Sequence, residues 1–227
     1  MPLLRFDHVH KRYPGGREAL VDLDFEVGAG EMVFVTGHSG AGKSTLLKLL
    51  HLAERATRGA VLVDGKNLAK IGARGVPRHR RRVGFVFQEH RLLMDRSVFD
   101  NVALPLVIAA QPREEIGKRV RTVLDRVGLL ERERSLPGML SSGEQQRVGI
   151  ARAVVAQPAL LIADEPTGNL DPQLSAEIMQ LFATLPATGT TVLVASHDLP
   201  LVKRMKTRVL VLDHGRLVDD FRPGAAA

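Results

Sequence analysis

A nine-residue stretch of this 227-residue chain has the composition and spacing of a phosphate-binding loop. It reads GHSGAGKST, from Gly37 to Thr45, and matches the pattern G-x-x-x-x-G-K-[ST]. Glycines let the backbone N–H groups of such a loop turn inward around a phosphate, and the lysine ammonium can reach the β- and γ-phosphates of a nucleotide. The hydroxyl after the lysine can ligate Mg²⁺. The residues expected to bind the nucleotide are Gly37, His38, Ser39, Gly40, Ala41, Gly42, Lys43, Ser44 and Thr45, with Lys43 also catalytic and Ser44 also a metal ligand.

Two adjacent acids could supply the hydrolytic half of such a site. They end the apolar stretch LLIADE, Leu160 to Glu165. Asp164, at the end of a strand, can hold Mg²⁺, usually through water, and Glu165 can polarise an attacking water. Acids are common at strand ends, so this pair alone is weak evidence for nucleotide hydrolysis. Together with the phosphate loop in the same chain, it is strong evidence.

Two further polar residues follow apolar runs. His197 comes after the run Thr191 to Val194, and Gln88 comes after the run Val83 to Phe87. A histidine at a strand end is more often a capping or solvated residue, but the C-terminal ends of parallel strands converge on the ligand crevice of an open α/β sheet. We therefore expect His197 to contact the γ-phosphate, and Gln88 to sense Mg²⁺ or the attacking water; both count as catalytic candidates, and Gln88 also as a metal ligand.

A second stretch, LSSGEQQ, also resembles an anion-binding device. It contains no lysine and follows no strand, so it is not a second loop of the first type. Ser141 or Ser142 can cap a helix that begins near Gly143, which would leave free N–H groups and the positive end of the helix dipole facing outward. The alternative is a capped helix that simply faces solvent.

The elements that must position these residues are indicated by apolar periodicity. In Val21 to Val27, apolar residues alternate with acids, which indicates an antiparallel strand with one wet face. The continuous run Met32 to Thr36 predicts a buried strand, and the leucines between Leu46 and Leu50 have helical spacing. The phosphate loop is thus expected between a buried strand and a helix, the context that its motif requires.

The middle of the chain is helical in pattern. The segments Val98 to Ala110 and Glu114 to Val127 predict helices, and buried strands resume at 159–163, 191–195 and 209–212. Strands that alternate with helices indicate a mostly parallel sheet covered on both faces. We therefore expect one α/β domain over residues 1–227, with a nucleotide-binding core and an antiparallel β subdomain at 1–87 and 158–227, and a helical subdomain at 88–157.

Composition narrows the possible partners. The net charge is +7, hydrophobic residues make up 44% of the chain, and there is no cysteine, which fits a reducing compartment. No apolar run is long enough to cross a bilayer, and we expect a cytosolic protein or one held on a membrane by something other than a span of its own. The basic run Arg78 to Arg82 is either a solvated face or a contact to lipid or a partner. One tyrosine and no tryptophan argue against stacking on nucleic acid, so no nucleic-acid partner is expected.

Taken in order, these motifs resemble those of ABC-type ATPases over essentially the full chain. The resemblance rests on Tyr13, GHSGAGKST, Gln88, LSSGEQQ, LLIADE, the stretch from Gly168 to Asp171, and His197. It implies a P-loop fold, Mg²⁺-dependent hydrolysis of ATP and a head-to-tail homodimer. In such a dimer Ser141, Ser142, Gly143 and Glu144 would close on the ATP of the other subunit.

The same resemblance gives roles to two more residues and shows one departure. Tyr13 would stack on adenine, and Asp171 would transmit the state of one site to the other. The family usually has LSGGQ, and Ser142 stands here in place of the first glycine. Its Cβ could crowd the phosphate, or its hydroxyl could donate to it.

Within the family, the stretch from Phe85 to Leu106, FVFQEHRLLMDRSVFDNVALPL, resembles that of the cell-division members. These act with an integral membrane protein and other division proteins, peripherally on the cytoplasmic side of the bacterial inner membrane. A short helix of the membrane partner would dock beside residues 88–106. The candidate contacts are Leu92, Leu93, Met94, Val98 and Phe99, although Val98 and Phe99 could equally be core.

Three alternatives remain at this point. The ATPase of a lipoprotein-release or macrolide-export complex has a similar type of membrane partner, but the sequence of residues 91–100 argues against this class. A DNA-repair ABC ATPase would carry long insertions that this chain does not have. A soluble regulatory ATPase would bind only other proteins.

Overall fold

The computed structural model describes residues 2–168 and 170–223; Asn169, within the stretch from Gly168 to Asp171, lies outside the described residues. The strands are β1 (Pro2–Arg12), β2 (Glu18–Gly28), β3 (Met32–Thr36), β4 (Arg58–Val63), β5 (Lys66–Asn67), β6 (Val83–Val86), β7 (Leu160–Asp164), β8 (Thr191–Ala195), β9 (Arg208–Asp213) and β10 (Arg216–Phe221). The helices are α1 (Lys43–Leu50), α2 (Val76–Arg80), α3 (Val98–Ile108), α4 (Arg113–Arg126), α5 (Ser142–Val154), α6 (Pro172–Thr184) and α7 (Leu199–Met205).

A six-stranded sheet forms the centre of the molecule. Its strand order is β10-β9-β3-β8-β7-β6, and all neighbours are parallel except β9 and β10. Every residue of β3 and β8 is buried, which explains why these strands appear as continuous apolar runs in the sequence. The parallel strands end at one edge of the sheet, so the phosphate loop, Gln88, the acid pair and His197 all follow strands at that edge.

A second sheet has four antiparallel strands in the order β2-β1-β4-β5. The predicted alternation in β2 is confirmed, because Leu23, Phe25 and Val27 are buried while Asp22 and Asp24 are exposed. The ring of Phe25 stacks on that of Phe6 in β1 at 4.7 Å between centroids. This sheet, α1 and one face of the central sheet share a single apolar cluster.

Helices α3, α4 and α5 pack on one another around an apolar cluster of their own. Fully buried side chains of each helix contribute, among them Val102 from α3, Val120 and Leu124 from α4, and Val148 from α5. The segment from Gln88 to Ser97, at the start of the predicted helical subdomain, contains no helix. Among the described residues, none of the helices combines the length and apolar character that a bilayer span requires.

Strand β10 has no counterpart in the sequence predictions. It pairs antiparallel with β9 at the edge of the central sheet, and most of its residues are exposed. An edge strand has one open side and needs no apolar run, so the charged residues of β10 gave no sign of a strand in the sequence. The strand predicted at 159–163 is displaced by one residue, because β7 runs from Leu160 to Asp164.

The four arginines of the basic run Arg78 to Arg82 are exposed, and three residues of the run also make contacts within the chain. His79 Nε2 donates to the Leu50 carbonyl at 2.7 Å, and Arg80 donates to the carbonyls of His51 and Leu52 at 3.1 and 3.0 Å. Leu50 is the last residue of α1, His51 is its C-cap and Leu52 follows, so these cations lie at the end of the helix where the dipole is negative and cations are favoured. Arg82 pairs with Asp64 at 2.7 Å, so much of the run has a structural role within the chain.

Candidate functional site

The phosphate loop leads directly from β3 into α1, and its glycines are required by close backbone contacts. Gly37 has φ of 147°, and a Cβ there would lie 2.3 Å from the Leu212 carbonyl oxygen. Gly42 has φ of 110° and acts as N-cap of α1 with no side-chain hydrogen bond. The first N–H groups of α1 therefore have no side-chain cap, and the positive end of the helix dipole is available to an anion.

The Lys43 side chain is folded back over the loop. Its Nζ donates to the carbonyl oxygens of Gly37 at 2.8 Å and His38 at 3.3 Å, and lies 3.9 Å from Glu165 Oε1. The residue is only 8% exposed. A buried ammonium needs such partners, and together they fix it at the centre of the loop.

Asp164 and Ser44 form a pair of oxygen ligands at the end of β7. The Ser44 hydroxyl donates to Asp164 Oδ1 at 3.3 Å. Burial raises the pKa of Asp164, and the neighbouring Glu165 charge raises it further, whereas the Ser44 hydrogen bond lowers it. A carboxylate and a hydroxyl at this separation fit a hard divalent cation, which would also offset the cost of burying the charge.

Glu165 is held by the neighbouring strand and by His197. Its φ is 47°, in the left-handed region, and its N–H donates to the Ala195 carbonyl at 2.9 Å. His197 Nδ1 donates to Glu165 Oε2 at 2.8 Å, and the His197 backbone N–H donates to the same oxygen at 3.3 Å. An unfavourable dihedral that surrounding contacts maintain is typical of functional residues.

Lys43, Ser44, Glu165 and His197 line one cavity of about 720 Å³, which is within the size range of small-molecule sites, whereas Asp164 is not among its lining residues. Tyr13 lies at one end, with its hydroxyl 3.4 Å from Thr45 Oγ1 and Lys11 Nζ 4.8 Å from its ring centroid. Arg17 and Lys48 add positive charge that the sequence predictions missed, since neither belongs to a motif. The predicted site residues that line the cavity are Tyr13, Ser39, Gly40, Gly42, Lys43, Ser44, Thr45, Gln88, Glu165 and His197.

The start of α5 is the second group of predicted site residues. Ser141 is the N-cap and Ser142 the first helical residue, so the helix begins one residue before the expected position. The Ser141 hydroxyl accepts from the Glu144 N–H at 3.2 Å, and Glu144 Oε2 accepts from the Ser141 N–H at 2.8 Å. This reciprocal pair is a capping box.

Asp171 lies close to this group. It caps α6 by accepting from the N–H groups of Gln173 and Leu174, both at 3.0 Å. The Leu174 side chain packs against Gly143 so closely that a Cβ on Gly143 would lie 2.3 Å from Leu174 Cδ2. The residues that line the 720 Å³ cavity include none of Ser141, Ser142, Gly143, Glu144 and Asp171.

Glu144 is a second departure from the LSGGQ pattern, and it was not predicted from the sequence. It stands where the pattern has glutamine. Its hydrogen bond from the Ser141 N–H lowers the pKa of Glu144, so the carboxylate is ionised at neutral pH. The start of α5 thus carries a negative charge that the usual sequence does not.

Gln146 and Arg152 of α5 connect this helix to the first group. The buried Gln146 donates from Nε2 to the Pro166 carbonyl at 2.7 Å and hydrogen-bonds His90 Nδ1 through Oε1. Arg152 donates to the carbonyls of His90 and Arg91, each at 2.8 Å. The helix therefore holds both the segment after Gln88 and the segment after Glu165. Polar residues on a helix usually face solvent, so nothing in the sequence marked these two.

Comparison with known families matches residues 20–168 to the ABC transporter family. The chain belongs to that family. It is 53% identical to the cell division ATP-binding protein FtsE of Escherichia coli strain K12, over 95% of this chain and 97% of the relative. It is also 47% identical to FtsE of Mycobacterium tuberculosis, over 98% of this chain and 97% of the relative.

Solved structures of ABC proteins have the same fold. The structure of cbiO1 from Clostridium perfringens, part of the ABC transporter complex cbiONQ, matches with a TM-score of 0.90 at 32% identity and covers 98% of this chain and 89% of that one. The ATP-binding cassette MJ0796, a dimer in a post-hydrolysis state bound to ADP and Pi, matches with the same score and identity over 98% and 100% of the two chains. The predicted ABC ATPase fold is confirmed, and the chain is an ATPase of this type.

Proposed function

We propose that this chain is the ATP-hydrolysing subunit of a bacterial cell-division complex that includes an FtsX-like integral membrane protein. The observation that carries the proposal is the similarity to FtsE over nearly the full length of both chains. The chain would lie peripherally on the cytoplasmic side of the inner membrane. ATP-driven motion of the membrane partner would then activate hydrolysis of septal peptidoglycan, with other division proteins nearby.

Within one chain, the cavity residues divide the work of hydrolysis. The loop N–H groups and the Lys43 ammonium would neutralise the β- and γ-phosphates, and Tyr13 would stack on adenine. Glu165 would polarise the attacking water. The His197 Nδ1 contact at 2.8 Å supports the orientation of Glu165, and the same ring would reach the γ-phosphate. Ser44, Asp164 and Gln88 would hold Mg²⁺, which when bound supplies charge to stabilise the transferred phosphoryl group.

The second group would act on the nucleotide of another copy. Ser141, Ser142, Gly143 and Glu144 lie outside the cavity of their own chain, which supports a role in a head-to-tail homodimer. The capped start of α5 would contact the γ-phosphate from the opposite side. Asp171 accepts from the N–H of Leu174, whose side chain packs against Gly143 of α5. Asp171 would report the state of one site to the other.

We further propose that residues 88–157 act as the helical subdomain that transmits this state to the membrane partner, while 1–87 and 158–227 form the core. Val98 is fully buried, and Leu92 and Phe99 pack against the helical cluster, so these three support the core interpretation. Leu93 and Met94 are 41% and 55% exposed. They are the side chains of this segment that remain available to an apolar helix of a partner.

Met139 extends the same surface. It is 70% exposed, and the adjacent Gly138 lies so near Met94 that a Cβ there would be 3.9 Å from Met94 Cε. The surface thus joins the segment after Gln88 to the segment before LSSGEQQ. A helix docked here would contact both phosphate-sensing regions.

Co-purification from solubilised membranes tests the proposal. An FtsX-like membrane protein should be recovered with the chain, and Met94→Glu should reduce its recovery several-fold without lowering the ATPase activity of the isolated chain. Val218→Glu is the control, because Val218 is 57% exposed but lies on β10. Recovery of a lipoprotein-release or export permease instead would contradict the cell-division role.

A further inference from the structure

Three side chains with metal-binding groups lie together beside the phosphate loop. His38 Nε2 is 3.1 Å from Asp213 Oδ1, and His214 Nε2 is 3.8 Å from the same oxygen. One potential ligand atom from each residue lies within 4.8 Å of the other two. Hydrolysis as proposed above uses the backbone of His38 but none of these three side chains.

The backbone that carries this cluster is fixed by contacts between two distant segments. Asp213 ends β9, and His214 and Gly215, with φ of 43° and 78°, form the tight turn into β10. The Gly215 N–H donates to the Ala41 carbonyl at 3.0 Å, and its carbonyl accepts from Val21 at 2.8 Å. The turn and the phosphate loop are thereby joined, so the three side chains are brought together without further folding.

Histidine is not required by the geometry of this turn. Positive φ at both central positions is typical of type I′ hairpins, where Asn-Gly is the preferred pair. The His214 side chain is 84% exposed, and its ring centroid lies 4.9 Å from that of His38. Neither the turn nor the core accounts for an imidazole at this position.

The protonation of His38 favours a metal on its other nitrogen. His38 Nδ1 donates to the Ser39 carbonyl at 2.7 Å, so Nδ1 carries the proton. Nε2 then faces the Asp213 carboxylate at 3.1 Å, a contact that needs either a proton or a metal ion between the two atoms. A backbone carbonyl that fixes the tautomer is the usual second partner of a metal-bound histidine.

We propose that His38, Asp213 and His214 form a surface site for a divalent transition metal, with Zn²⁺ as the best-suited ion. Zinc binds imidazole nitrogen and carboxylate oxygen at about 2.0–2.2 Å in tetrahedral geometry, which places neighbouring ligands about 3.3 Å apart. The observed 3.1 Å between His38 and Asp213 is close to that value. Three protein ligands leave the fourth position open to water.

This site differs in chemistry from the Mg²⁺ site at Ser44 and Asp164. Magnesium prefers oxygen ligands and octahedral geometry, whereas two imidazoles select softer ions. A bound metal would tie the His38 side chain to the turn after β9, and so restrict the outer face of the phosphate loop. The competing state is a plain ion pair between protonated His38 and Asp213.

Metal titration of the full chain without a histidine tag, in millimolar Mg²⁺, tests the proposal. Calorimetry should show one Zn²⁺ bound per chain, and Co²⁺ should give the visible absorption of a tetrahedral site. His214→Asn suits the turn and so should preserve folding, but it should weaken Zn²⁺ binding by about tenfold or more. Asp213→Asn should do the same.

His8→Ala is the matched control. His8 is an exposed histidine paired with Asp22 at 2.8 Å, outside the proposed site, and its removal should leave Zn²⁺ affinity unchanged. The proposal is overturned if no saturable Zn²⁺ binding occurs in excess Mg²⁺, or if His214→Asn binds Zn²⁺ as tightly as the unaltered chain. In either case the cluster is only an ion pair.

Discussion

Helices α1 and α5 both begin with a predicted phosphate-binding sequence, but their N-termini are capped differently. Helix α1 follows Gly42, has no side-chain cap and no acid in its first turn. Helix α5 follows Ser141, has a complete capping box and carries Glu144 in its first turn. The first terminus is open to an anion, whereas the second already satisfies its third N–H group and bears a carboxylate.

This difference suggests that the two devices act in sequence rather than as equals. The α1 loop, with Lys43 at its centre and an uncapped helix N-terminus, is the device that we propose holds ATP within one chain. At α5 the Ser141 hydroxyl is occupied by Glu144, so the N–H groups of Ser142 and Gly143 and the Ser142 hydroxyl remain for an anion. Such a terminus is suited to close on a nucleotide that another chain already holds.

The largest expected effect concerns the first device. Lys43→Ala should abolish detectable ATP hydrolysis at millimolar ATP, because the backbone cradle cannot neutralise the β/γ-phosphate charge alone. The measurement is steady-state phosphate release, with thermal unfolding to establish that the variant is folded. Lys48→Ala is the control, since Lys48 lines the same cavity outside the motif and its loss should leave substantial activity. A Lys43 variant with near wild-type turnover would contradict the assignment.

A smaller effect on stability should accompany the loss of Asp164. Burial raises the pKa of this carboxyl above its unfolded value, so its ionised form costs stability at neutral pH. Asp164→Asn should therefore raise the melting temperature by a few degrees in EDTA at pH 7, while it abolishes Mg²⁺-dependent hydrolysis. The unaltered chain should gain stability as pH falls through the folded pKa of Asp164, and the variant should lack that gain. An unchanged or lower melting temperature for Asp164→Asn would show that the ionised Asp164 carboxylate does not destabilise the folded chain.

The smallest effect should appear at the second device. Glu144→Gln removes the negative charge but keeps an oxygen that can accept from the Ser141 N–H. ATP-driven dimerisation should strengthen about two- to fivefold, the range expected for one charge at a helix end. Glu144→Ala serves as control, because it removes both the charge and half of the capping box. Equal dimerisation by Glu144→Gln and the unaltered chain would mean that the carboxylate does not oppose the phosphate.

Motif spacing and apolar runs in the sequence predicted the secondary structure around the α1 phosphate loop well. The loop, its flanking strand and helix, and the strand that ends in Asp164 follow from motif spacing and apolar runs. Contacts between distant segments were invisible to such reasoning, as with Arg80 at the carbonyls after α1 and Gln146 between His90 and Pro166. The capping box at Ser141 was within reach of the sequence, since Ser-x-x-Glu is its signature, but Glu144 was interpreted only through the family pattern.

Sedimentation of two variants tests whether the α1 loop of one chain and the start of α5 of another hold one nucleotide between them. Glu165→Gln keeps the shape of the site but removes the carboxylate that we propose polarises water, so this variant should dimerise in ATP and return to monomer in ADP. Adding Ser141→Arg should prevent the dimer while ATP still binds to the α1 loop, because a bulky cation would fill the space of the incoming phosphate. Both should be measured with and without the membrane partner. The account is contradicted if Glu165→Gln remains monomeric in saturating ATP under both conditions, or if the double variant dimerises as readily.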